Sequence, residues 1–285
     1  MRELPLDDLP KHSPWSARLL GLDDWDGESY GGTGVSWYDG AYGGLLELAS
    51  ENPEFDFRDV KRSAHHHTQE SPVAISERES LYLADIDEKL DRQEAALVAA
   101  FDGVLSGEET VVALGCGWGH ELGVLADAYP DCEFVGGEPS ENGVALAREL
   151  FGDRDRIRVE PFDFREDSWE ILDCDDFGVA DSEVVVFTQG SLTALPSARE
   201  VVTETLVDHL DRVREGVHLE HVFELNPEDT LLGQLRRSYI RERGYNDDLL
   251  ASLRDADAID VTETTYDVVG GNPLHPLSEV HWRPA

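Results

Sequence analysis

Lysine is nearly missing from this chain. Of 285 residues only Lys11, Lys61 and Lys89 are lysines, and 23 basic residues face 61 acidic ones, so the formal net charge is −38. A surface with that balance repels nucleic acid and anionic membranes, and neither is expected as a partner. Cysteine is scarce as well: Cys116, Cys132 and Cys174 are too few and too scattered for a disulfide framework or a zinc knuckle. They read as buried small residues in a reducing compartment, and no metal site is expected. No uncharged apolar run reaches the roughly 20 residues of a membrane helix. The opening MRELPLDDLPKHSP lacks the apolar core of a signal peptide. A cytoplasmic protein without a membrane span is the expectation.

What is abundant is acid. Acidic surfaces with so few lysines resemble those of proteins from salt-accumulating halophiles, in which concentrated counterions screen the self-repulsion. An acidic region facing a cationic partner is the alternative. With 285 residues the chain can form one large domain, or one domain with an elaborated terminus.

Residues 1–75 are punctuated by Pro5, Pro10, Pro14, Gly31–Gly32, Gly43–Gly44, Pro53 and Pro72, which argues against long uninterrupted helices there. The same segment holds Trp15, Trp25, Trp37, Tyr30, Tyr38 and Tyr42, too much aromatic mass to stay unfolded. An irregular cap packed on the main domain is expected. From about Ser76 to Leu105, Leu83, Ile86, Leu90, Leu97 and Phe101 recur at helical spacing, which predicts a bridging helix. Strand-like and helix-like runs then alternate: strands at 111–114, 133–137, 156–160, 183–188 and 216–223, and helices at about 120–128, 141–151, 197–213, 229–243 and 246–254. Two further strand-like pieces joined by a Gly-Asn-Pro turn end the chain. Alternation of this kind predicts an α/β fold, a mostly parallel sheet with helices on both faces.

The chemistry begins at VVALGCGWGHELGVLA, residues 111–126. An apolar strand stops at Gly115, Gly117 and Gly119, and an amphipathic helix follows. Glycines let a nucleotide approach the backbone, and the helix start offers free N–H groups. A dinucleotide fold uses G-x-G-x-x-G, whereas this loop reads G-x-G-x-G. Next, FVGGEPSENGVALA ends a strand in Glu138, where a carboxylate can accept both ribose hydroxyls of a nucleoside. Beyond the third strand come Phe162, Asp163 and Phe164. A carboxylate there can accept from an adenine amino group while aromatics wall the ring. Finally, VVVFTQGSLTALP ends a strand in Gln189, Gly190 and Ser191, at the sheet edge where ligands of open α/β folds gather.

In this order the four stretches resemble class I S-adenosylmethionine-dependent methyltransferases, with a seven-stranded Rossmann-like sheet whose last strand is antiparallel. GGEPSENGVALA, VFTQGSLTALPSA, LRRSYIRERGYNDDLL and NPLHPLSEVHWRPA resemble, within that class, sugar or small-molecule O-methyltransferases of prokaryotic glycan clusters. The resemblance implies S-adenosylmethionine as cofactor. It implies contacts from Gly115, Cys116, Gly117, Gly119, Glu138, Pro139, Phe162, Asp163, Phe164 and Gln189. The family usually carries an acid two residues before the first glycine; here that position is Ala113, which implies either a weaker hold on the cofactor or Glu121, at the start of the following helix, as a stand-in. A nicotinamide-dependent oxidoreductase would share the loop and the ribose acid but gives no account of Asp163. A protein that binds S-adenosylmethionine without turnover is the other alternative.

A hydroxyl acceptor needs a base, and histidine is the usual one. HLEH, residues 218–221, lies toward the carboxyl end of a strand, which makes Glu220 and His221 the candidates for acceptor contact or base. His65, His66 and His67 would point apart in an extended chain and are not expected to share a metal. Trp37 and Tyr38 could stack on a sugar face. If the acid excess reflects a saline habitat, the melting temperature should climb steadily between about 0.1 M and about 3 M KCl. A flat salt dependence in a scanning calorimeter would refute that reading.

Overall fold

The computed structural model describes residues 1–23, 34–163, 169–172 and 183–285. Trp25, Tyr30, Gly31–Gly32, Phe164 and Cys174 lie outside the described residues. The amino-terminal part carries strand β1 (Arg2–Glu3), helices α1 (Pro14–Leu19), α2 (Val35–Glu51) and α3 (Phe57–Thr68), and a hairpin of β2 (Val73–Glu77) and β3 (Ser80–Ala84). Helix α4 (Ile86–Ala99) leads into β4 (Glu109–Leu114), α5 (His120–Ala128), β5 (Glu133–Glu138), α6 (Glu141–Phe151) and β6 (Ile157–Pro161). Then come β7 (Glu183–Gln189), β8 (Val213–Glu220), α7 (Leu231–Arg243), α8 (Leu249–Asp255), β9 (Ile259–Val269) and β10 (Leu277–Pro284).

The seven-stranded sheet runs β6-β5-β4-β7-β8-β10-β9. The first five strands in that order are parallel, and β10 pairs antiparallel with both β8 and β9. Side-chain alternation along β4 divides the core: Val111 and Ala113 join the apolar layer on one face, Val112 and Leu114 that on the other. The chain leaves β4 toward β5 and β6 and returns to the other side at β7. A crevice therefore opens at the carboxyl ends of β4 and β7, where the order reverses. Among the described residues no helix is long and apolar enough to cross a membrane.

Three expectations need correction. Long helices do exist before residue 75: α2 has 17 residues and α3 has 12. Gly40, Gly43 and Gly44 lie inside α2, whose Leu45, Leu46 and Leu48 pack on the core, so burial outweighs the weak helix preference of glycine. His65, His66 and His67 consequently occupy the last turn of a helix instead of extended chain. The helix expected from Ser76 starts only at Ile86, because Arg78 and Glu79 take positive φ and close the β2–β3 hairpin, while the Asp85 side chain caps α4. Third, the helix expected at 197–213 winds as a π-helical turn, Glu200–Thr205, followed by a 3-10 segment, Leu206–Arg212. The wider turn brings Val201, Val202 and Leu206 onto one buried face.

The hairpin is tied to the large sheet by one buried ion pair. Asp267 of β9 accepts from the Ser76 hydroxyl at 2.8 Å, the Glu79 N–H at 2.8 Å and Arg236 Nη2 at 2.9 Å. Arg236 also donates to the Pro273 carbonyl at 2.8 Å and the Tyr266 hydroxyl at 2.6 Å. Both partners are wholly buried. Arg236→Met should therefore cost about 3–5 kcal/mol, because it strands a buried carboxylate. Adding Asp267→Asn should recover much of the loss. A double-mutant cycle by denaturant unfolding in high salt measures both, and additive losses would refute the coupling.

Candidate active site

The loop after β4 holds Gly115, Gly117 and Gly119 at φ of 70°, 58° and 80°, in the left-handed region that other residues avoid. The Gly115 and Cys116 N–H groups donate to the Gly137 carbonyl at 2.8 and 3.1 Å, which pins the loop to the end of β5. A Cβ on Gly117 would stand 2.7 Å from the Tyr42 hydroxyl, so α2 closes over the loop at van der Waals range.

Glu138, at the tip of β5, is buried and organises its surroundings. One carboxylate oxygen accepts from the Gly117 N–H at 2.8 Å, the other from the Ser140 N–H at 3.0 Å. Burial raises its carboxyl to about 6; those two N–H groups pull it down, while the charges of Asp163 and Asp39 push it up. The Ser140 hydroxyl caps α6 by accepting from the Gly143 N–H at 2.9 Å and donates to Asp39 of α2 at 2.8 Å. Asp39 also accepts from the Asn142 N–H at 3.0 Å, so α2 clamps the start of α6. The Asn142 and Ser140 donors hold the Asp39 carboxyl below its ordinary value.

Three cavities open at this crevice. One of about 280 Å³ is lined by Tyr38, Tyr42, Gly115, Glu138, Pro139 and Asp163. A smaller one of about 170 Å³ lies across Tyr42, walled by Lys61, Ala113, Cys116, Gly117, Trp118 and Glu121. The largest, about 540 Å³, lies toward β8 and the β9–β10 connection and includes Lys89, Gly190, His221 and His275. Gln189 borders all three. Its amide donates to Glu121 at 3.1 Å. Burial opposes ionisation of Glu121, but the Lys61 ammonium at 3.9 Å and the His120 ring outweigh it and hold the carboxyl near 2. An acid and a lysine thus face the small cavity in which Ala113 stands without one.

Gly115, Glu138, Pro139, Asp163 and Gln189 border one cavity, and Gly115, Gly117 and Gln189 the smaller one; Gly119 borders neither, since a Cβ on it would meet Phe151 and Val159. Cys116 borders the smaller cavity, and burial pushes its thiol well above the ordinary value, which suits packing and not nucleophilic chemistry. Phe162 departs from the expectation of a ring cover: it turns into the core beside Trp169, in the slot left by Gly137, where a Cβ would meet it at 2.8 Å. Trp37 is exposed, whereas Tyr38 lines the cavity with Glu138.

Glu220 also departs from expectation. It is fully buried, and it accepts from the N–H groups of Ser191, Leu192 and Thr193 at 3.0, 3.1 and 3.2 Å and from the Thr193 hydroxyl at 2.6 Å. Burial raises its carboxyl while these donors oppose the shift. It shapes the turn after β7, which leaves it no free edge for an acceptor. His221 lies just past β8 and faces the large cavity. Its Nδ1–H donates to the Pro276 carbonyl at 2.7 Å, which leaves the lone pair on Nε2. Burial lowers the ring to about 3, so it is neutral. His218 is structural, between the Thr188 hydroxyl at 2.8 Å and the Trp282 N–H at 2.7 Å.

Sequence reasoning missed Tyr42, Lys61 and Lys89 as site residues. The scarcity of lysine was a usable signal, since two of three lysines border these cavities.

No family model matches the sequence, and no curated protein matches it either. Solved structures do resemble it. Mitomycin 7-O-methyltransferase aligns over 85% of this chain and 60% of its own, with 19% identity and a TM-score of 0.50. A protein of Thermobifida fusca described provisionally as a methyltransferase aligns over 70% and 83%, with 17% identity and a TM-score of 0.50. The chain thus spans about 60% of the length of the mitomycin enzyme. At such identities the likeness is one of fold, and the fold is the Rossmann-like α/β sheet found in methyltransferases.

Proposed function

We propose that this chain is an enzyme that transfers a methyl group from S-adenosylmethionine to a small molecule, a sugar or related compound accepting at a hydroxyl or carboxylate. The observation that carries the reading is the meeting of three cavities at Gln189, two flanking the glycine loop and one beyond it. The residues fit such a cofactor. Glu138 keeps a second lone pair on each oxygen for ribose hydroxyls, Asp163 borders the same cavity, and Lys61 with Glu121 matches an α-carboxylate and an α-ammonium. Bound there, S-adenosylmethionine would supply a sulfonium methyl whose C–S bond breaks toward sulfur as the new bond to the acceptor forms.

The chain's own task is mainly alignment. Glu220 fixes the turn after β7, and with it Gln189 and Gly190 at the junction. His221 borders the large cavity with its lone pair on Nε2 and accepts the proton of a hydroxyl acceptor as the methyl transfers, as a weak base because burial disfavours its charged form; a carboxylate acceptor needs no base. Residues 1–75 serve as a cap, since α2 gives Tyr38 and Tyr42 and α3 gives Lys61 to the cavity walls.

S-adenosylhomocysteine should bind with one-to-one stoichiometry in high-salt calorimetry, and absence of binding would sink the proposal. Glu138→Gln should weaken binding by about 10- to 100-fold, as expected for losing bonds to a charged acceptor. Because burial lifts Glu138 to about 6, a proton competes with the ribose below that value, and affinity should fall between pH 7 and pH 5, approaching about tenfold per unit. A pH-independent affinity over that range would remove Glu138 from the ribose role. With labelled cofactor and a fractionated small-molecule extract, His221→Gln should slow transfer to a hydroxyl by about 10²- to 10⁴-fold and leave S-adenosylhomocysteine affinity unchanged. Binding without transfer to any fraction would favour a protein that only binds the cofactor.

A further inference from the structure

The large cavity is bordered by a buried cation that no carboxylate among the described residues neutralises. Lys89 projects from α4 with only 4% of its surface exposed, and it borders the cavity that contains His221 and Gln189. Its ammonium donates to the Gln69 side-chain carbonyl at 2.8 Å and lies 3.5 Å from His65 Nδ1, both uncharged groups. Among the described residues no carboxylate comes within ion-pair distance of it. In a chain with 61 acids that is unexpected, since Lys11 and Lys61 each have a carboxylate within 3.9 Å. Glu70, the acid of this cavity wall, stands exposed at its rim.

The surroundings are arranged for a ligand's negative group. Gly271 leaves room for the lysine, because a Cβ there would meet Lys89 Cε at 3.0 Å and Gln93 Nε2 at 2.7 Å. Gln93, Ser13 and Asn272 add neutral donors to the same wall. Burial, then the Lys61 charge, brings the ammonium down to about 8, so it remains mostly protonated at neutral pH. Burial and the lysine charges hold His65 near 3, so the ring adds no competing charge. A buried ammonium without a counter-ion is expensive, and a bound anion relieves that cost.

We infer that the large cavity takes an acceptor bearing an oxyanion, a carboxylate or a phosphate, and that Lys89 anchors that group while another atom of the acceptor reaches the junction at Gln189. The inference rests on the proposed methyl transfer for the word acceptor; the anion site itself does not depend on it.

With three lysines in the chain, protein labelled with 13C at lysine Cε gives three resonances, assignable by Lys11→Arg and Lys61→Arg. Glucuronate and glucose 6-phosphate are titrated at constant ionic strength, with and without S-adenosylhomocysteine, and glucose serves as the neutral control. The expected result is a saturable shift of the Lys89 resonance with one or both anions, a rise of its pKa above 8, and no response to glucose. The anion that saturates at lower concentration tells carboxylate from phosphate. Lys89→Met should lose at least tenfold in affinity for that anion, measured by calorimetry, and keep its S-adenosylhomocysteine affinity, which also reports that the variant is folded. If the Lys89 resonance does not move with either anion, or all three lysines shift alike, the inference is overturned while cofactor binding stands. Failure of S-adenosylhomocysteine to bind would instead overturn the methyltransferase reading, and the anion titration without it would still decide the site.

Discussion

The buried pair of Arg236 and Asp267 is the constraint on which the large cavity depends. An ion pair with no exposed surface gains little by itself, because desolvation consumes most of the attraction. Here further hydrogen bonds support the pair: Asp267 gathers the Ser76 hydroxyl and the Glu79 N–H from the amino-terminal hairpin, and Arg236 holds the Pro273 carbonyl of the β9–β10 connection. Ser76 and Gly270 then exchange two backbone hydrogen bonds, at 2.9 and 2.8 Å. One charge cluster therefore fixes the hairpin bearing Val73 and Ala74 against the connection bearing Asn272 and His275. These four residues line the large cavity, so its shape is set by electrostatics buried well behind it.

Glu138 has the corresponding part on the cofactor side, with a different energetic logic. Its carboxylate is a strand end, a loop anchor through Gly117 and a partner of the helix start through Ser140. The two backbone N–H groups favour its ionised form, and burial disfavours it. The balance leaves a carboxylate that is ionised near neutrality yet unsatisfied, with lone pairs directed at a cavity. A structural acid would have been paired to exhaustion, as Glu220 is with its four close donors. The two acids end β5 and β8, with β4 and β7 between them in the sheet, and they differ in how fully they are paired: Glu220 shapes a turn, whereas Glu138 keeps acceptor capacity beside a cavity.

The parts of this molecule that sequence discloses are the ones governed by local rules. From β4 through α6 each strand ends where the apolar run ends, and each helix starts at a residue suited to the turn, Gly119 at φ 80° or Ser140 with its side-chain cap. The loop glycines and Glu138 were legible for that reason. The amino-terminal third was not. Glycines that read as punctuation lie within α2 because α2 packs across α6 and the core, and tertiary burial overrides propensity. Leu83 fits the helical spacing that continues through Ile86 and Leu90 as well as the alternation of a strand, and the turn at Arg78 and Glu79 selects the strand. Tyr42, Lys61 and Lys89 reach the crevice by contacts between segments far apart in sequence, which no local pattern encodes. Glu220 and His221 were adjacent letters in HLEH, yet the end of β8 falls between them and sends one into the loop scaffold and the other to the cavity.

A chain of net charge −38 is at first count a poor host for an anion, and the resolution is one of range. Exposed charges are screened over a Debye length of about 3 Å at 1 M salt, so the acidic surface contributes little at a buried group. Buried groups are screened far less. Within the large cavity the nearest charge is the Lys89 ammonium, and the rings around it, His65, His221 and His275, are all pushed toward their neutral forms by burial. Lys89 is thus a buried cation in a chain of negative net charge, and a charge in a low-dielectric site acts more strongly at short range than exposed charges do. Neutral histidines serve this arrangement twice: they leave Lys89 as the dominant cation, and they leave His221 with a lone pair at Nε2.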